Sequence, residues 1–453
     1  MENMAGYLST YASTLTFDDL PPEVIHQAKR LLIDTLGCAI GGYSSEPSKI
    51  ARALAATVSS RQPATVLGSG QQTSLDMATF ANGVMIRYLD YNDGYTSKES
   101  GHPSDSIAAV LSPAEVACAD GKAVLTAIVL GYEVFCRMCD AVSVRRRSFD
   151  HVTVGVMASA LAAAKLMGRS PEQTRQALNL SLAANIALYQ TRIGEVSLWK
   201  GCAFANASRN AVFAVQLASL GLTGPEPIFE GAGGFFKAVS GEPFELEPFG
   251  GSGRPFRILD CTVKGYPLGL YSQTVVEAAL QARQQLRSVD DIEEVHIQTL
   301  QTAVNIMAGD AEKWHPTNRE TADHSMPYTA AVALLYGAVE TRHFGSEYWS
   351  NPRLLSLVQK VKVSVSEEAN RRAPEAMLST VEVVTASGER ATSEVAYHRG
   401  HYKNPMSDQE IEAKFRSLAY DLLTPSQTEA LLERLWTLET VNDIKDVIRM
   451  IRI

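Results

Sequence analysis

The run Ser159–Gly168, SALAAAKLMG, sets the character of the fold. Alanine has the highest helix propensity, and its short side chain lets neighbouring helices approach closely. The run belongs to a predicted helix over 153–167, and apolar residues recur at helical spacing on both sides of it. Further helices are predicted over 22–42, 122–141, 171–187 and 203–220. The N-terminal half is therefore predicted to be helical throughout.

The pattern changes after about Cys261. Apolar and polar residues alternate as in half-buried strands over 293–300, 361–365, 381–385 and 390–395, with short helices at 330–335 and 352–358. Helical spacing returns over 408–418, 425–438 and 441–451. We therefore predict a mainly α fold in which residues 1–261 and 399–453 form a large helical domain. Residues 262–398 are predicted to be an inserted, smaller α+β lid domain.

Composition excludes several classes of protein. The chain has 453 residues, 45% hydrophobic and 20% charged, as in an ordinary globular protein of two domains. A formal net charge of -9 without a basic stripe argues against nucleic-acid binding, so an anionic substrate needs a local cationic pocket. The apolar run 124–135 is too short to cross a membrane, and the first residues do not resemble a secretory signal, which favours a cytoplasmic protein.

The cysteines and glycines give no support to a cofactor. Six cysteines do not form a disulfide or iron–sulfur pattern, and the CxxC of Cys136 and Cys139 lies in an apolar helical stretch. No GxGxxG motif follows a strand, and the glycine-rich run 230–236 lacks the Lys-Ser/Thr of a P-loop. The sequence therefore contains no signature of a nucleotide, metal or other cofactor.

The stretch Arg87–Asp105, RYLDYNDGYTSKESGHPSD, is polar between two apolar helices and is where we expect the chemistry. Pro103 is suited to the first turn of the second helix, which would direct His102 at a helix N-terminus, where negative groups are favoured. Asp90 and the other aspartates also suit turns and caps, so each residue alone has an ordinary structural explanation.

Four further stretches carry polar residues in apolar surroundings. They are Ser148–Gly155 with His151; Trp199–Asn210 with Lys200 and Arg209; Val263–Gln273 with Lys264, Tyr271 and Gln273; and His315–Tyr328 with Arg319, Asp323, His324 and Tyr328. Each has a structural alternative, namely a helix cap, a lysine that reaches solvent, a hinge turn or surface polarity. Histidine titrates near pH 6.5, so His102, His151 and His324 are candidate proton carriers at neutral pH.

Together these stretches resemble the MmgE/PrpD family over nearly the whole chain. The resemblance rests on LDYNDGY with GHPSD, EVSLWKGCAFANASRN, TGPEPIFEG, YPLGLYSQT, RETADHSMPY and GHYKNPMS. The family includes 2-methylcitrate dehydratase and cis-aconitate decarboxylase. The resemblance implies a metal-free, homodimeric enzyme with a large helical domain and a smaller lid.

The resemblance also implies roles for individual residues. Asp90 and His102 match the catalytic loop pair, Lys200 the active-site lysine and Tyr328 the tyrosine of the RETADHSxxY motif, whereas His151 corresponds loosely. The family's decarboxylases carry a histidine after the proline at the lid entrance. Here Pro267 is followed by Leu268 and Gly269, which favours a dehydratase.

The resulting hypothesis is the elimination of water from a hydroxy-tricarboxylate such as 2-methylcitrate or citrate. Lys200 would stabilise the enediolate-like charge, and His102, oriented by Asp90, would act as acid or base with His151 or Tyr328 as its complement. The expected substrate-binding residues are Arg209, Lys264, Tyr271, Gln273, Arg319 and His324. The alternatives are a decarboxylase of cis-aconitate, a dicarboxylate epimerase or isomerase of the same family, and a non-catalytic carboxylate-binding protein.

Overall fold

The computed structural model describes residues 3–453, so the first two residues of the predicted helical domain lie outside it. The fold is mainly α, as predicted. The helices of the first part are α1 (Met4–Thr14), α2 (Pro22–Gly42), α3 (Glu46–Ala55), α4 (Leu75–Tyr88), α5 (Ala108–Ala117), α6 (Gly121–Ala141), α7 (Val152–Leu166), α8 (Pro171–Ala184) and α9 (Ala203–Ser219). Two short antiparallel pairs accompany them, β1 (Ala64–Thr65) with β2 (Gln72–Thr73) and β3 (Tyr95–Thr96) with β4 (Ser100–Gly101).

Helix α7 is the centre of this helical part. All of its residues except Lys165 are buried, and it packs against α6, α8 and α9. Five of its residues are alanines, whose small side chains permit this close approach on several sides. The helix predicted from the alanine-rich run is therefore confirmed.

The following part combines helices with a four-stranded sheet. Its elements are α10 (Gln273–Arg283), β5 (Ile292–Thr299), α11 (Gln301–Met307), α12 (Arg319–Ala322), α13 (Met326–Tyr336), α14 (Ser346–Trp349), α15 (Pro352–Val358), β6 (Val361–Val365), α16 (Glu367–Arg372), β7 (Ser379–Thr385) and β8 (Arg390–Val395). The strand order is β6-β5-β7-β8, with β5 and β6 parallel and the other pairs antiparallel. Burial alternates along β7 and β8, as their sequences predicted.

The chain ends with α17 (Asp408–Ala419), α18 (Pro425–Trp436) and α19 (Lys445–Ile448). Helix α17 packs on α2, where Lys414 forms a buried ion pair with Asp34 at 2.6 Å. The prediction of a long helix over 441–451 is wrong in extent, because only the single turn α19 forms there. Backbone groups there bond elsewhere instead, Ile444 N to the carbonyl of Ala119 and Ile453 N to the carbonyl of Gly68.

Two large clusters of buried apolar side chains organise the molecule. The first draws its members from Ala5 to Val263 and again from Ile411 to Ile451, and the second from Leu268 to Val395. The polar stretch after α4 contains the β3–β4 hairpin and a 3-10 helix at Pro103–Ile107, which begins at the proline expected to open a helix. Within residues 3–453, no helix combines the length and apolar character needed to cross a membrane.

Candidate active site

A small cavity of about 50 Å³, here called the chamber, lies between the two apolar clusters. Its wall comes from the end of α4, the β4 strand with the residue after it, the start of α7, the segments 145–147 and 189–192 of the first part, and loops and a helix of the second part. The lining residues are Arg87, Ser100, Gly101, His102, Arg145, His151, Tyr189, Arg192, Gly269, Leu270, Tyr271, Ile306, Met307 and His324. Concave sites between packed units with converging polar groups are the usual location of ligand binding.

Asp90 is the centre of a buried ionic network behind this wall. It follows α4 in a left-handed conformation, with φ of 51°, which aspartate tolerates better than most residues. Its Oδ1 accepts hydrogen bonds from Arg87, at 2.6 Å, and from Lys264, while Oδ2 lies 3.1 Å from Nδ1 of His324 and 3.5 Å from Nζ of Lys200. Burial alone would raise the pKa of Asp90, but the surrounding cations hold it well below its usual range.

Lys200 belongs to the same network and does not line the chamber. Its Nζ donates to Oδ1 of Asp323 and lies 3.3 Å from Nδ1 of His324, whose ring does form part of the wall. Burial and the nearby Lys200 ammonium lower the pKa of His324 to about 4. His324 is therefore a neutral imidazole at neutral pH, held by the buried ion pair behind it.

His102 is held as a neutral ring of defined tautomer. Its Nδ1 lies 2.7 Å from the carbonyl oxygen of Asp93, so Nδ1 carries the proton, and Nε2 accepts from Nη2 of Arg87 at 3.0 Å. Burial, then the charges of Arg87 and Lys264, place the pKa of His102 well below 6.5. We expected Asp90 to orient His102 directly. The structure corrects this expectation, because the Arg87 guanidinium lies between the Asp90 carboxylate and the His102 ring.

His151 forms a second, differently arranged centre. Its Nδ1 lies 2.9 Å from Oδ1 of Asp150, and Arg192 donates to the other carboxylate oxygen at 2.7 Å. Nε2 of His151 is buried and has no hydrogen-bond partner within the described residues. Burial lowers the pKa of His151 from 6.5, although Asp150 opposes the shift. The ring is therefore neutral at neutral pH, with a free lone pair on Nε2.

The two histidine rings are neighbours across the chamber wall. Their centroids are 5.6 Å apart with an interplanar angle of 76°. A Cβ at Gly101 would lie 2.6 Å from Cδ2 of His151, so only glycine lets the hairpin approach this ring. The His151 side chain makes no cap hydrogen bond at the start of α7, which leaves it for the chamber.

Two arginines expected to bind substrate lie elsewhere. Arg209 is 41% exposed on its side chain and pairs with Asp76 at 3.4 Å. Arg319 lies over the ring of Tyr88, 4.9 Å from its centroid, and donates to the carbonyl of Thr341. Neither lines the chamber, because α9 and α12 direct these side chains away from it.

Tyr328 also lies outside the chamber. It is fully buried in the second apolar cluster, and its hydroxyl donates to the carbonyl of His343 at 2.6 Å. A hydroxyl satisfied in this way is a core group, which corrects the expectation that Tyr328 faces the other candidate residues.

The stretch Val263–Gln273 supplies residues of three kinds. Tyr271 lines the chamber, and its hydroxyl donates to Oγ of Ser100 at 3.1 Å. Gln273 bonds only to backbone groups of residues 265–268, so it shapes the turn. Lys264, whose pKa burial lowers to about 8, donates to Asp90 behind the wall.

Several site residues were missed by the sequence reasoning. Arg87 and Asp150 could have been found, since the first opens the polar stretch and the second directly precedes His151. Arg145 and Arg192 belong to no recognisable motif, and only the tertiary structure brings them to the chamber.

Asp90, Asp323 and His324 bring three potential metal ligands within 4.8 Å of one another. The Lys200 ammonium contacts both carboxylates, and Lys264 and Arg87 add further positive charge at Asp90. A divalent cation would have to displace a lysine from this position. The donor set therefore fits an internal ion-pair network and does not fit a metal centre as it stands.

The fold and the chamber define a mainly α protein with a buried site rich in imidazole and guanidinium groups. The MmgE/PrpD N-terminal domain profile matches residues 6–247, and the MmgE/PrpD C-terminal domain profile matches residues 266–438. The chain therefore belongs to the MmgE/PrpD family, as its motifs predicted.

Characterised relatives carry two different names. The chain is 25% identical to cis-aconitate decarboxylase of Mus musculus, over 97% of this chain and 91% of that protein. It is 29% identical to 2-methylcitrate dehydratase of Escherichia coli (strain K12), over 73% of this chain and 71% of that protein. It is 26% identical to 2-methylcitrate dehydratase of Cupriavidus necator, over 89% and 88% respectively.

Proposed function

We propose that this protein is a cofactor-independent carbon–oxygen lyase that dehydrates a small hydroxy-tricarboxylate, of the 2-methylcitrate or citrate type, to the cis-aconitate-type alkene. The observation that carries the proposal is the pairing of two neutral histidines beside Arg87 in one chamber. Two relatives named 2-methylcitrate dehydratase support the substrate class.

His151 is the base in this proposal. Its Nε2 lone pair has no partner among residues 3–453, and Asp150 holds Nδ1 in the orientation that a general base requires. His151 takes the proton from the carbon beside a substrate carboxylate. The negative charge that develops on that carboxylate is stabilised by the Arg87 guanidinium.

His102 is the acid that protonates the departing hydroxide. In the free protein its Nε2 accepts from Arg87, which helps to keep the ring neutral. When a substrate carboxylate takes over that guanidinium, His102 faces negative charge and its pKa rises. The ring then takes a proton from solvent at Nε2 and donates it as the C–O bond breaks, so the products are water and the alkene, and the proton held by His151 returns to solvent.

Asp90, Asp323, Lys200 and Lys264 are positioning residues. They lie behind the wall and hold Arg87 and His324, which do face the chamber. Their charges compensate one another in a buried network, which fixes the geometry of the groups in front of it.

Dehydration is preferred to decarboxylation because of the wall that follows Pro267. Gly269 and Leu270 line the chamber there, so this segment supplies no imidazole where a histidine is expected in the family's decarboxylases. Residues 262–398 act as the lid over residues 1–261 and 399–453 in this proposal, which the two separate apolar clusters support.

The protein acts as a cytoplasmic homodimer in this proposal. In the segment between α8 and α9, Tyr189, Arg192 and Lys200 face inward. Several apolar side chains of the same segment are exposed, namely Ile186, Leu188, Ile193, Leu198 and Trp199. An apolar surface of this kind is suited to a second copy of the chain.

The test is a turnover assay on 2-methylcitrate, citrate and cis-aconitate. A new conjugated alkene, seen by its absorbance, is the expected product. Release of carbon dioxide would make the protein a decarboxylase, inverted stereochemistry without alkene an epimerase, and binding without turnover a carboxylate-binding protein. Activity should survive dialysis against a chelator, and a lasting loss that added iron restores would contradict the cofactor-independent reaction.

A further inference from the structure

A second pocket of about 440 Å³ opens directly outside the chamber. Five residues line both cavities and are here called the neck: Arg145, Tyr189, Arg192, Tyr271 and Ile306. The neck therefore lies between the outer pocket and the chamber that contains the two histidines. Two of its five residues are arginines, in a chain whose net charge is -9.

Arg145 lines the neck, and its guanidinium is only partly hydrogen-bonded. Its Nη2 bonds to Glu99 at 2.7 Å and to Oγ of Ser100 at 3.1 Å, and its guanidinium lies 5.4 Å from the ring centroid of Tyr189. Its Nε is buried without a hydrogen-bond partner in the described part of the chain. Such a group carries a desolvation penalty that an arriving anion would relieve.

Arg192 is fixed on one side and open on the other. Nε donates to Asp150 at 2.7 Å and Nη1 to the carbonyl of Lys200 at 3.2 Å, while Nη2 has no partner among residues 3–453. The side chain is nearly buried, with 6% exposure, so the guanidinium cannot reorient freely. A planar donor held in this way is suited to a carboxylate.

The carboxylates that pair with these arginines do not line either cavity. Glu99 and Asp150 lie behind Arg145 and Arg192, so at the neck the cavities meet the guanidinium groups and not the carboxylates that pair with them. The outer pocket adds the cations Lys98 and Arg146 against one carboxylate, Asp310. A path lined in this way attracts anions.

We infer that Arg145 and Arg192 form a carboxylate clamp at the neck, which binds the carboxylate of the substrate farthest from His151 and thereby selects tricarboxylates over dicarboxylates. The inference rests on the proposed function and deepens it. Arg87 binds the carboxylate beside the reacting carbon, and the clamp binds a second one on the side that faces solvent.

The consecutive residues Arg145, Arg146 and Arg147 provide matched variants, because the same Arg→Gln change then falls at three different places. Arg145 lines the neck, Arg146 lines only the outer pocket, and Arg147 is exposed and lines neither cavity. Binding is measured by calorimetry with two unreactive probes, propane-1,2,3-tricarboxylate and 2-methylbutanedioate, which lacks one of the two terminal carboxylates.

Arg145→Gln should weaken binding of the tricarboxylate about ten- to a hundredfold, the usual effect of losing a charge-assisted hydrogen bond, and change binding of the dicarboxylate by less than about threefold. Arg146→Gln should weaken the binding of both probes slightly and equally, and added salt should abolish this loss of affinity relative to the unaltered protein. Arg147→Gln should bind both as the unaltered protein does. Arg145→Lys, which keeps the charge, should recover part of the loss.

Three outcomes would overturn the clamp. Arg145→Gln could lose affinity equally for both probes, it could lose no affinity, or the unaltered protein could fail to bind the tricarboxylate. If Arg145→Gln fails to fold, the same comparison is made with Arg145→Lys and Arg192→Lys, and equal effects on both probes would again contradict it. Because the probes do not react, the clamp can fail while turnover succeeds. It can also hold in a protein that shows no dehydratase activity.

Discussion

Nδ1 of His151 donates to Oδ1 of Asp150 over 2.9 Å, and Arg192 donates to the other oxygen of the same carboxylate. Burial would raise the pKa of Asp150, but Arg192 and His151 hold it well below its usual range. The carboxylate therefore stays ionised and fixes the tautomer of His151. The lone pair on Nε2 is left facing the chamber.

Asp150→Asn should lower kcat at least about a hundredfold, because an amide can donate to Nδ1 and stabilise the wrong tautomer of His151. The measurement is turnover of the substrate found in the panel, with the fold checked by circular dichroism. Asp76→Asn is the matched control, since Asp76 pairs with Arg209 away from the chamber. Comparable rates in both variants would remove His151 from the role of base.

The acid limb of kcat/KM should lie below pH 6.5. Burial lowers the pKa of His151, so the ring keeps its lone pair until the pH falls below that of an ordinary histidine. Activity should fall below this limb as His151 becomes protonated, and it should also fall at higher pH, because His102 must take up a proton to act as the acid. The ionisation of the substrate is titrated separately, and an acid limb above pH 6.5 that does not follow the substrate would contradict the assignment.

His398 should make the protein less stable as the pH falls from 6.5 towards 4. The ring is fully buried, and burial lowers its pKa to about 4, whereas the unfolded chain binds the proton near pH 6.5. Above pH 6.5 the neutral His398 leaves the free energy of unfolding at its full value. By pH 5 the free energy of unfolding has fallen by about 2 kcal/mol, because the unfolded chain binds the proton more tightly.

Denaturant unfolding of His398→Gln at pH 7.5 and pH 5 measures this effect. The difference in the free energy of unfolding between variant and unaltered protein should shrink by about 2 kcal/mol at pH 5. His315→Gln alters an exposed ring and serves as the control. A difference that is the same at both pH values would show that His398 does not carry the effect.

Tyr328→Phe should retain activity within about threefold, because the hydroxyl bonds to the carbonyl of His343 in the core and lies outside the chamber. The free energy of unfolding should fall by about 1 kcal/mol, since that buried carbonyl loses its donor. Turnover and denaturant unfolding are measured on the same preparation. A hundredfold loss of turnover at unchanged stability would return Tyr328 to the catalytic residues.

Lys200→Met should destabilise the fold by about 3–5 kcal/mol, because Asp323 is left as a buried charge without its lysine. Adding Asp323→Asn should restore part of the loss, since the unpaired charge is then removed. Lys362→Met breaks an exposed ion pair with Glu294 and should leave stability nearly unchanged. A double variant no more stable than Lys200→Met would contradict the pairing.

Local pattern was sufficient for most helices and strands. The alanine-rich α7, the start of α2 at Pro22 and the alternation along β7 and β8 follow from helix propensity, a fixed proline φ and the two-residue period of a strand. The expected helix over 441–451 failed because contacts distant in sequence claimed its backbone groups. Local periodicity contains no information on such contacts.

By itself, the sequence determined the helical class, the family, and four residues that line the chamber, His102, His151, Tyr271 and His324. Only the tertiary structure decided that Arg145 and Arg192 join them and that Tyr328, although in a family motif, turns into the core. The reason is distance along the chain. Asp90 and Lys264, for example, are 174 residues apart and meet only when the two parts of the protein pack together.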